Sequence, residues 1–260
     1  MEKRLENVID LRGATVVAAV LSLLLAALLY TGANLDVFFS INRFPWPVAA
    51  RLWSSVTIFG DTLPLLCLLL PFFSRRPDFI WTIMVSVIVV AFGVDWAKEY
   101  FHTPRPPAVL LANQFHLIGF RAVTGSFPSG HSAAAFTFAG AICMMRFPWP
   151  AKVAALSGAA LVAMSRVAVG IHWPLDVLGG ALFGWFGVMA SIWLASRWRW
   201  GLKLGAQRGF AVLLVAAALF MAWDYDAGYP LARPLLVTIS VVTLVWAWPG
   251  LRRLFGKNAL

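Results

Sequence analysis

Negative charge is scarce in this chain, and charge of any kind is sparse. Asp and Glu number 11 against 21 Lys and Arg, and together they make up 12% of the 260 residues, about half the share usual in soluble domains. What is left is an apolar surplus that a water-soluble core cannot absorb. Cysteine is nearly absent: Cys67 and Cys143 are too few for a disulfide framework, and both fall in apolar runs where they pack as small apolar side chains. They leave the compartment open. There is no internal repeat and no low-complexity linker. No basic arm or stacking platform accompanies the net charge of +10, which speaks against nucleic acid as a partner. The charged start and first apolar run lack a small-residue cleavage site, so an uncleaved first helix is expected.

What the chain has is hydrocarbon: 61% of its residues are hydrophobic and its mean hydropathy is +0.80. The apolar residues gather in stretches close to the ~20 that carry a helix across a bilayer. Spans are expected near residues 14–32, 55–74, 78–97, 131–147, 151–170, 174–195, 209–225 and 232–249. The fold class is therefore all-α, a polytopic integral membrane bundle of about eight helices in a single domain, 1–260. Lys and Arg collect on cytoplasmic connections. With the N-terminus inside, Lys3, Arg4, Arg12, Arg75, Arg76, Arg146, Lys152, Arg197, Arg199, Lys203, Arg208, Arg252, Arg253 and Lys257 lie on the cytoplasmic side, as do both termini. The cations left on the outer side are Arg43, Arg51, Lys98, Arg105, Arg121, Arg166 and Arg233. Trp46, Trp53, Trp96, Trp149, Trp173, Trp198 and Trp200 near span ends are expected to anchor in the interfaces.

Several of the stranded cations belong to three polar islands that interrupt the spans at one level. The first runs Lys98-Glu99-Tyr100-Phe101-His102-Thr103-Pro104-Arg105-Pro106, the second Phe127-Pro128-Ser129-Gly130-His131-Ser132, and the third from Ser165-Arg166 through His172 to Asp176. Lys98 offers a compact charge, while Arg105 and Arg166 offer planar forks that fit two phosphate oxygens each. Pro128-Ser129-Gly130 ahead of a helix is expected to present free backbone N–H groups and the positive end of a helix dipole. Gly130 permits close approach, and the Ser129 hydroxyl is a further donor.

Binding a phosphate would not require two histidines. Pro174 suits the first turn of a helix, placing His172 at its mouth and Asp176 one turn on. The carboxylate can fix the tautomer of His172 and leave the other ring nitrogen free to attack phosphorus. His131 can then protonate the leaving oxygen and later take a proton from water. Charge developing in transfer would be met by the three cations and the cradle, so neither metal nor cofactor is expected.

The three islands carry K-x6-R-P, P-S-G-H and S-R-x5-H-x3-D without departure, and in this the chain resembles the type 2 phosphatidic acid phosphatase (PAP2) superfamily of membrane lipid phosphatases. The resemblance extends from about the second to the sixth span. It implies a six-helix phosphatase core, about 50–196, and metal-free hydrolysis, with His172, His131 and Asp176 catalytic and Lys98, Arg105, Ser129, Gly130 and Arg166 on the phosphate. Residues 197–260 then add two membrane helices whose role stays open. Substrates the resemblance implies are undecaprenyl diphosphate, slightly ahead, lipid A, phosphatidylglycerol phosphate and phosphatidic acid, in a bacterial inner membrane with the site facing the periplasm. Membrane lipids are the expected partners; the oligomeric state is not legible.

Asp61 and Asp95, at outward ends of spans, are expected to pair with neighbouring cations as structural groups. His102 and His116 are expected to be solvated loop residues, while Arg121 lies where an outer loop could touch a head group. Two competing functions remain. A lipid phosphotransferase would pass the same phosphoryl group to an acceptor lipid such as lipid A, and the motifs do not separate it from hydrolysis. An anion transporter would distribute polar residues along its spans, whereas here they cluster at one face.

Overall fold

Inside a bilayer every backbone amide must be satisfied by the chain itself, which leaves helices for a sequence this apolar. The computed structural model describes residues 11–43 and 48–256, and among these there is no strand. The helices are α1 (Leu11–Thr31), α2 (Asn34–Asn42), α3 (Val48–Thr57), α4 (Thr62–Cys67), α5 (Pro77–Phe101), α6 (Pro106–Val109), α7 (Gly130–Met144), α8 (Trp149–Ala168), α9 (Pro174–Arg197), α10 (Leu204–Asp224) and α11 (Arg233–Phe255). Among the described residues six are long and apolar enough to cross a membrane and a bent pair makes up to seven, against the eight expected; the remaining expected span is the shorter apolar α7. Lys3, Arg4, Trp46 and Lys257 lie outside the described residues.

Two spans differ from the simple expectation. The second is broken: Ala50–Gly60 and Thr62–Phe72 meet at 62°. Asp61 stops the first piece and caps the second, its carboxylate accepting the Leu63 N–H at 3.0 Å. The fourth, α7, has only 15 residues, about 22 Å at 1.5 Å per residue. It can be short because it is enclosed by protein: α5, α8 and α9 pack around it.

Glycine makes that enclosure tight. A Cβ on Gly180 would stand 2.3 Å from the Ser129 carbonyl oxygen, and one on Gly184 2.1 Å from that of Ala133. The backbones of α7 and α9 touch there without intervening side chains, the small-residue packing that joins helices in lipid. Trp185, fully buried on α9, donates from Nε1 to the Ala14 carbonyl at 3.0 Å and so ties in α1. The antiparallel hairpin α10–α11 packs on the broken span.

The connections sort to two ends. At one, Arg76 Nη1 donates to the Arg146 carbonyl at 3.0 Å and Trp81 Nε1 to that of Trp198 at 2.6 Å. At the other lie all three polar islands, and there Asn42 ties the 107–126 loop to the end of α8, donating to the His116 carbonyl at 2.8 Å and that of Ala168 at 3.0 Å. Apolar side chains such as Val16, Leu23, Phe92 and Val245 face outward between the two ends. Trp96, Trp149, Trp198 and Trp200 are exposed as interfacial anchors require, but Trp53 is buried and the Trp173 indole donates within the protein to the Pro104 carbonyl at 3.0 Å. Cys67 and Cys143 are buried thiols, that of Cys143 donating to the Lys152 carbonyl at 3.8 Å.

Candidate active site

The first island reaches the second by a backbone clasp. His102, in the left-handed region at φ 46, ends α5, and the chain then pairs with residues just before α7. Arg105 N–H donates to Val123 O at 2.9 Å, Ser126 N–H to Thr103 O at 3.0 Å, and Phe127 N–H to Thr103 Oγ1 at 2.7 Å. The Arg105 side chain is aimed from behind, with Nε on the Thr124 carbonyl at 2.8 Å and Nη2 on that of Gly125 at 3.2 Å. Lys98, one turn before the end of α5, extends beside Gly130, where an added Cβ would come within 3.8 Å of Nζ.

The second island begins α7. Ser129 is its N-cap, with Oγ accepting the Ser132 N–H at 3.5 Å. The expectation of a free Ser129 N–H needs correcting, since it donates to the Asp176 carbonyl at 2.9 Å. The N–H groups of Gly130 and His131, at the first positions of the helix, have no intrahelical acceptor and form the remaining cradle. His131 Nε2 is shielded from solvent and has no hydrogen-bond partner among the described residues.

The third island turns between α8 and α9. Gly170 sits at φ +79, and a Cβ there would lie 2.3 Å from the His116 carbonyl oxygen, so the turn needs glycine. Ile171 and His172 both donate their N–H groups to the Arg166 carbonyl, at 3.2 and 3.3 Å. Asp176, at the third position of α9, reaches back to accept the Trp173 N–H at 2.8 Å.

These turns bring His172, Arg105, Arg166 and Asp176 together, with His172, Arg166 and Asp176 almost completely buried. His172 Nδ1 stands 3.4 Å from Asp176 Oδ2, an ion-pair distance that falls short of hydrogen-bond geometry, while the Ser126 backbone also engages the ring. On the other side, Nε2 lies 3.3 Å from Arg105 Nη1. A guanidinium only donates, so Nε2 holds the lone pair and Nδ1 the proton. Burial, followed by the charges of Arg105, Arg166 and Lys98, holds the pKa of His172 well below the ordinary 6.5, leaving it neutral near pH 7.

Three contributors escaped the sequence reading. Ser126 donates to Asp176 Oδ2 at 2.5 Å. Thr57 and Tyr229 accept from Arg166 Nη1 at 2.5 and 2.8 Å. Asp61, besides capping α4, lines the site's cleft with Asp95, Lys98 and His131. Arg121 donates within its own loop to the Pro107 carbonyl at 3.0 Å. His102 and His116 are exposed, the latter with its backbone N–H on Asn42 Oδ1 at 2.8 Å. Among the described residues no three His, Cys, Asp or Glu side chains converge as a metal-ligand set.

The cleft, of about 240 Å³, opens from the polar cluster between α4, α5 and α7. One stripe of α5 forms a wall at helical spacing, from Lys98 through Asp95, Val94, Ala91, Val90 and Val87 to Ile83, with Leu66 and Phe138 opposite. It is polar at the mouth and apolar beyond.

A helical membrane bundle with two histidines, a carboxylate 3.4 Å from one of them and three cations at one end has the chemistry to hold an anionic group. The PAP2 superfamily profile matches residues 79–200. The chain is 32% identical over 169 residues to the lipid A 1-phosphatase of Rhizobium etli, covering 56% of this chain and 72% of that one. It is 32% identical over 156 residues to the undecaprenyl-diphosphatase of Sulfolobus acidocaldarius, covering 59% and 74%. Among solved structures, LpxE of Aquifex aeolicus superposes with a TM-score of 0.56 at 30% identity, over 61% of this chain and 94% of that one. The chain belongs to the PAP2 superfamily, and the relatives it matches are lipid phosphatases.

Proposed function

We propose that this protein hydrolyses a lipid phosphate or diphosphate through a phosphohistidine on His172, undecaprenyl diphosphate being the favoured substrate. The observation that carries the reading is the double engagement of one buried imidazole: Nδ1 faces Asp176 Oδ2 at 3.4 Å, and Nε2 faces Arg105 at 3.3 Å. Substrate phosphate would draw the Arg105 N–H from Nε2 to its own oxygen and expose the lone pair. Nε2 then bonds to phosphorus as the bond to the leaving oxygen breaks, and His131 supplies that oxygen's proton. In the second half, His131 takes a proton from water, whose oxygen bonds to phosphorus while the N–P bond breaks. Lys98, Arg105, Arg166, Ser129 and Gly130 hold the phosphoryl oxygens throughout, so charge is neutralised by side chains and backbone rather than a metal or cofactor.

The cleft supports an amphiphilic substrate, with polar groups at one end and an apolar wall beyond. Among such lipids a polyprenyl diphosphate is favoured, in keeping with the undecaprenyl-diphosphatase among the relatives. The excess of Lys and Arg at the end opposite the islands argues that the site faces outward from a bacterial inner membrane, with both termini cytoplasmic. The phosphatase core is about 50–196, with 197–260 added to it.

His172→Ala is expected to lower phosphate release at least ~1,000-fold without loss of fold. Near-normal turnover by purified variant, across a panel of undecaprenyl diphosphate, lipid A, phosphatidylglycerol phosphate and phosphatidic acid, would sink the mechanism. In mixed micelles of undecaprenyl diphosphate and lipid A, free phosphate supports hydrolysis; a phosphorylated acceptor lipid supports transfer instead.

A further inference from the structure

The hairpin α10–α11 lies beyond the matched family region, which ends at residue 200, yet its outer turn enters the site. We propose that Tyr229 in this turn is a positioning residue for Arg166, making the C-terminal hairpin part of the phosphate-binding machinery.

Arg166 is 1% exposed, and its guanidinium has five N–H groups to place. Nη1 carries two, and both are taken, one by Thr57 Oγ1 at 2.5 Å and one by Tyr229 Oη at 2.8 Å. That leaves the edge formed by Nε and Nη2, the pair of parallel donors that meets two oxygens of a phosphate side-on. Nε is buried and has no hydrogen-bond partner among the described residues. A buried unpaired donor is costly unless a ligand completes it. Thr57 and Tyr229 therefore set the guanidinium's rotation so that its two-pronged edge faces the site.

The turn that brings Tyr229 is held by hydrogen bonds of its own. Asp226 accepts the Gly228 N–H on Oδ1 and the Tyr229 N–H on its carbonyl, each at 2.8 Å. Arg233 closes the turn by donating to the carbonyls of Tyr225 and Trp223. Tyr229 is 1% exposed, and its ring leaves no room for a Cβ on Gly119, which would fall 2.6 Å away. The same turn sets the Tyr225 hydroxyl close to the Asp61 carboxylate, which lines the cleft together with His131. A tyrosine serving only as packing would not need its hydroxyl on the nitrogen that fixes this guanidinium.

This inference rests on Arg166 binding the phosphoryl group, so its test reads anion binding directly. The full-length protein in detergent micelles is titrated with orthovanadate by calorimetry, and phosphate release from undecaprenyl diphosphate is measured in parallel. Tyr229→Phe keeps the ring and removes the hydroxyl. It is expected to weaken vanadate binding and lower kcat/KM about tenfold each, with the melting temperature within about 2 °C of the parent. In an Arg166→Ala background the same change is expected to add almost nothing. Parental vanadate affinity in Tyr229→Phe overturns the inference, as does an equal loss in the Arg166→Ala background. If no lipid phosphate is hydrolysed but Tyr229→Phe still weakens vanadate binding through Arg166, the functional reading fails while the positioning role stands.

Discussion

At the scale of single residues, His172 is defined by what flanks its two nitrogens. The proposed nucleophile must be neutral, and burial with Arg105, Arg166 and Lys98 lowers its pKa below 6.5. The sign follows: lowering pH through 6.5 leaves His172 unprotonated, and it gains its proton only at lower pH. Nitrogen NMR of labelled imidazole should show the Nδ1-H tautomer and a midpoint under 6.5; Arg105→Gln should move that midpoint upward, because it removes the largest of the contributing charges. A midpoint at or above 6.5 in the parent would contradict this account. Ser126, whose hydroxyl sits on Asp176 Oδ2, holds the carboxylate in place, and Ser126→Ala should lower kcat about tenfold. The motif residues were legible because three cations, two histidines and an aspartate recur at fixed spacings beside apolar runs. Ser126, Thr57 and Tyr229 were not, since a single hydroxyl has no spacing and acts only through the side chain that folding brings to it.

At the scale of elements, the broken second span shows how hydropathy can count a helix correctly and miss its shape. Averaged over 55–74 the run is apolar throughout, but Gly60-Asp61 followed by Pro64 stops one helix and caps the next. The break places Ile58–Gly60 directly against the second island. A Cβ on Gly60 would stand 2.6 Å from Val162 Cγ1 and 2.8 Å from His131 Cβ. Gly60→Val should therefore displace His131, reducing kcat/KM at least about tenfold and destabilising the fold by ~1–3 kcal/mol. Thermal unfolding and steady-state kinetics on the same preparation check both; full activity with lowered stability would separate the break from the chemistry. The short α7 has a similar lesson. Sequence placed it at 131–147, yet a helix surrounded by others does not have to match the thickness of the bilayer.

At the scale of the whole molecule, helices known only as a list cannot reveal which faces meet, and the cleft belongs to that missing information. Beyond Asp95 the wall residues of α5, Val94, Ala91, Val90, Val87 and Ile83, are ordinary apolar side chains in the sequence; only the approach of α4 and α7 turns Ile83 to Lys98 into a passage from cationic mouth to hydrocarbon. On the proposed function the arrangement would separate two demands on the substrate: the cations would bind its phosphate whatever its tail, while the groove would select for the tail. Ala91 lies midway along the stripe and is open to the surroundings, so Ala91→Trp fills the groove without touching the polar cluster. Its KM for undecaprenyl diphosphate should rise about tenfold, by loss of apolar contact worth ~1.4 kcal/mol, while turnover of a soluble short-chain prenyl diphosphate stays near the parent's. An equal effect on both substrates would place the obstruction in the phosphate site; no effect on either would mean that the tail takes another path through the bundle.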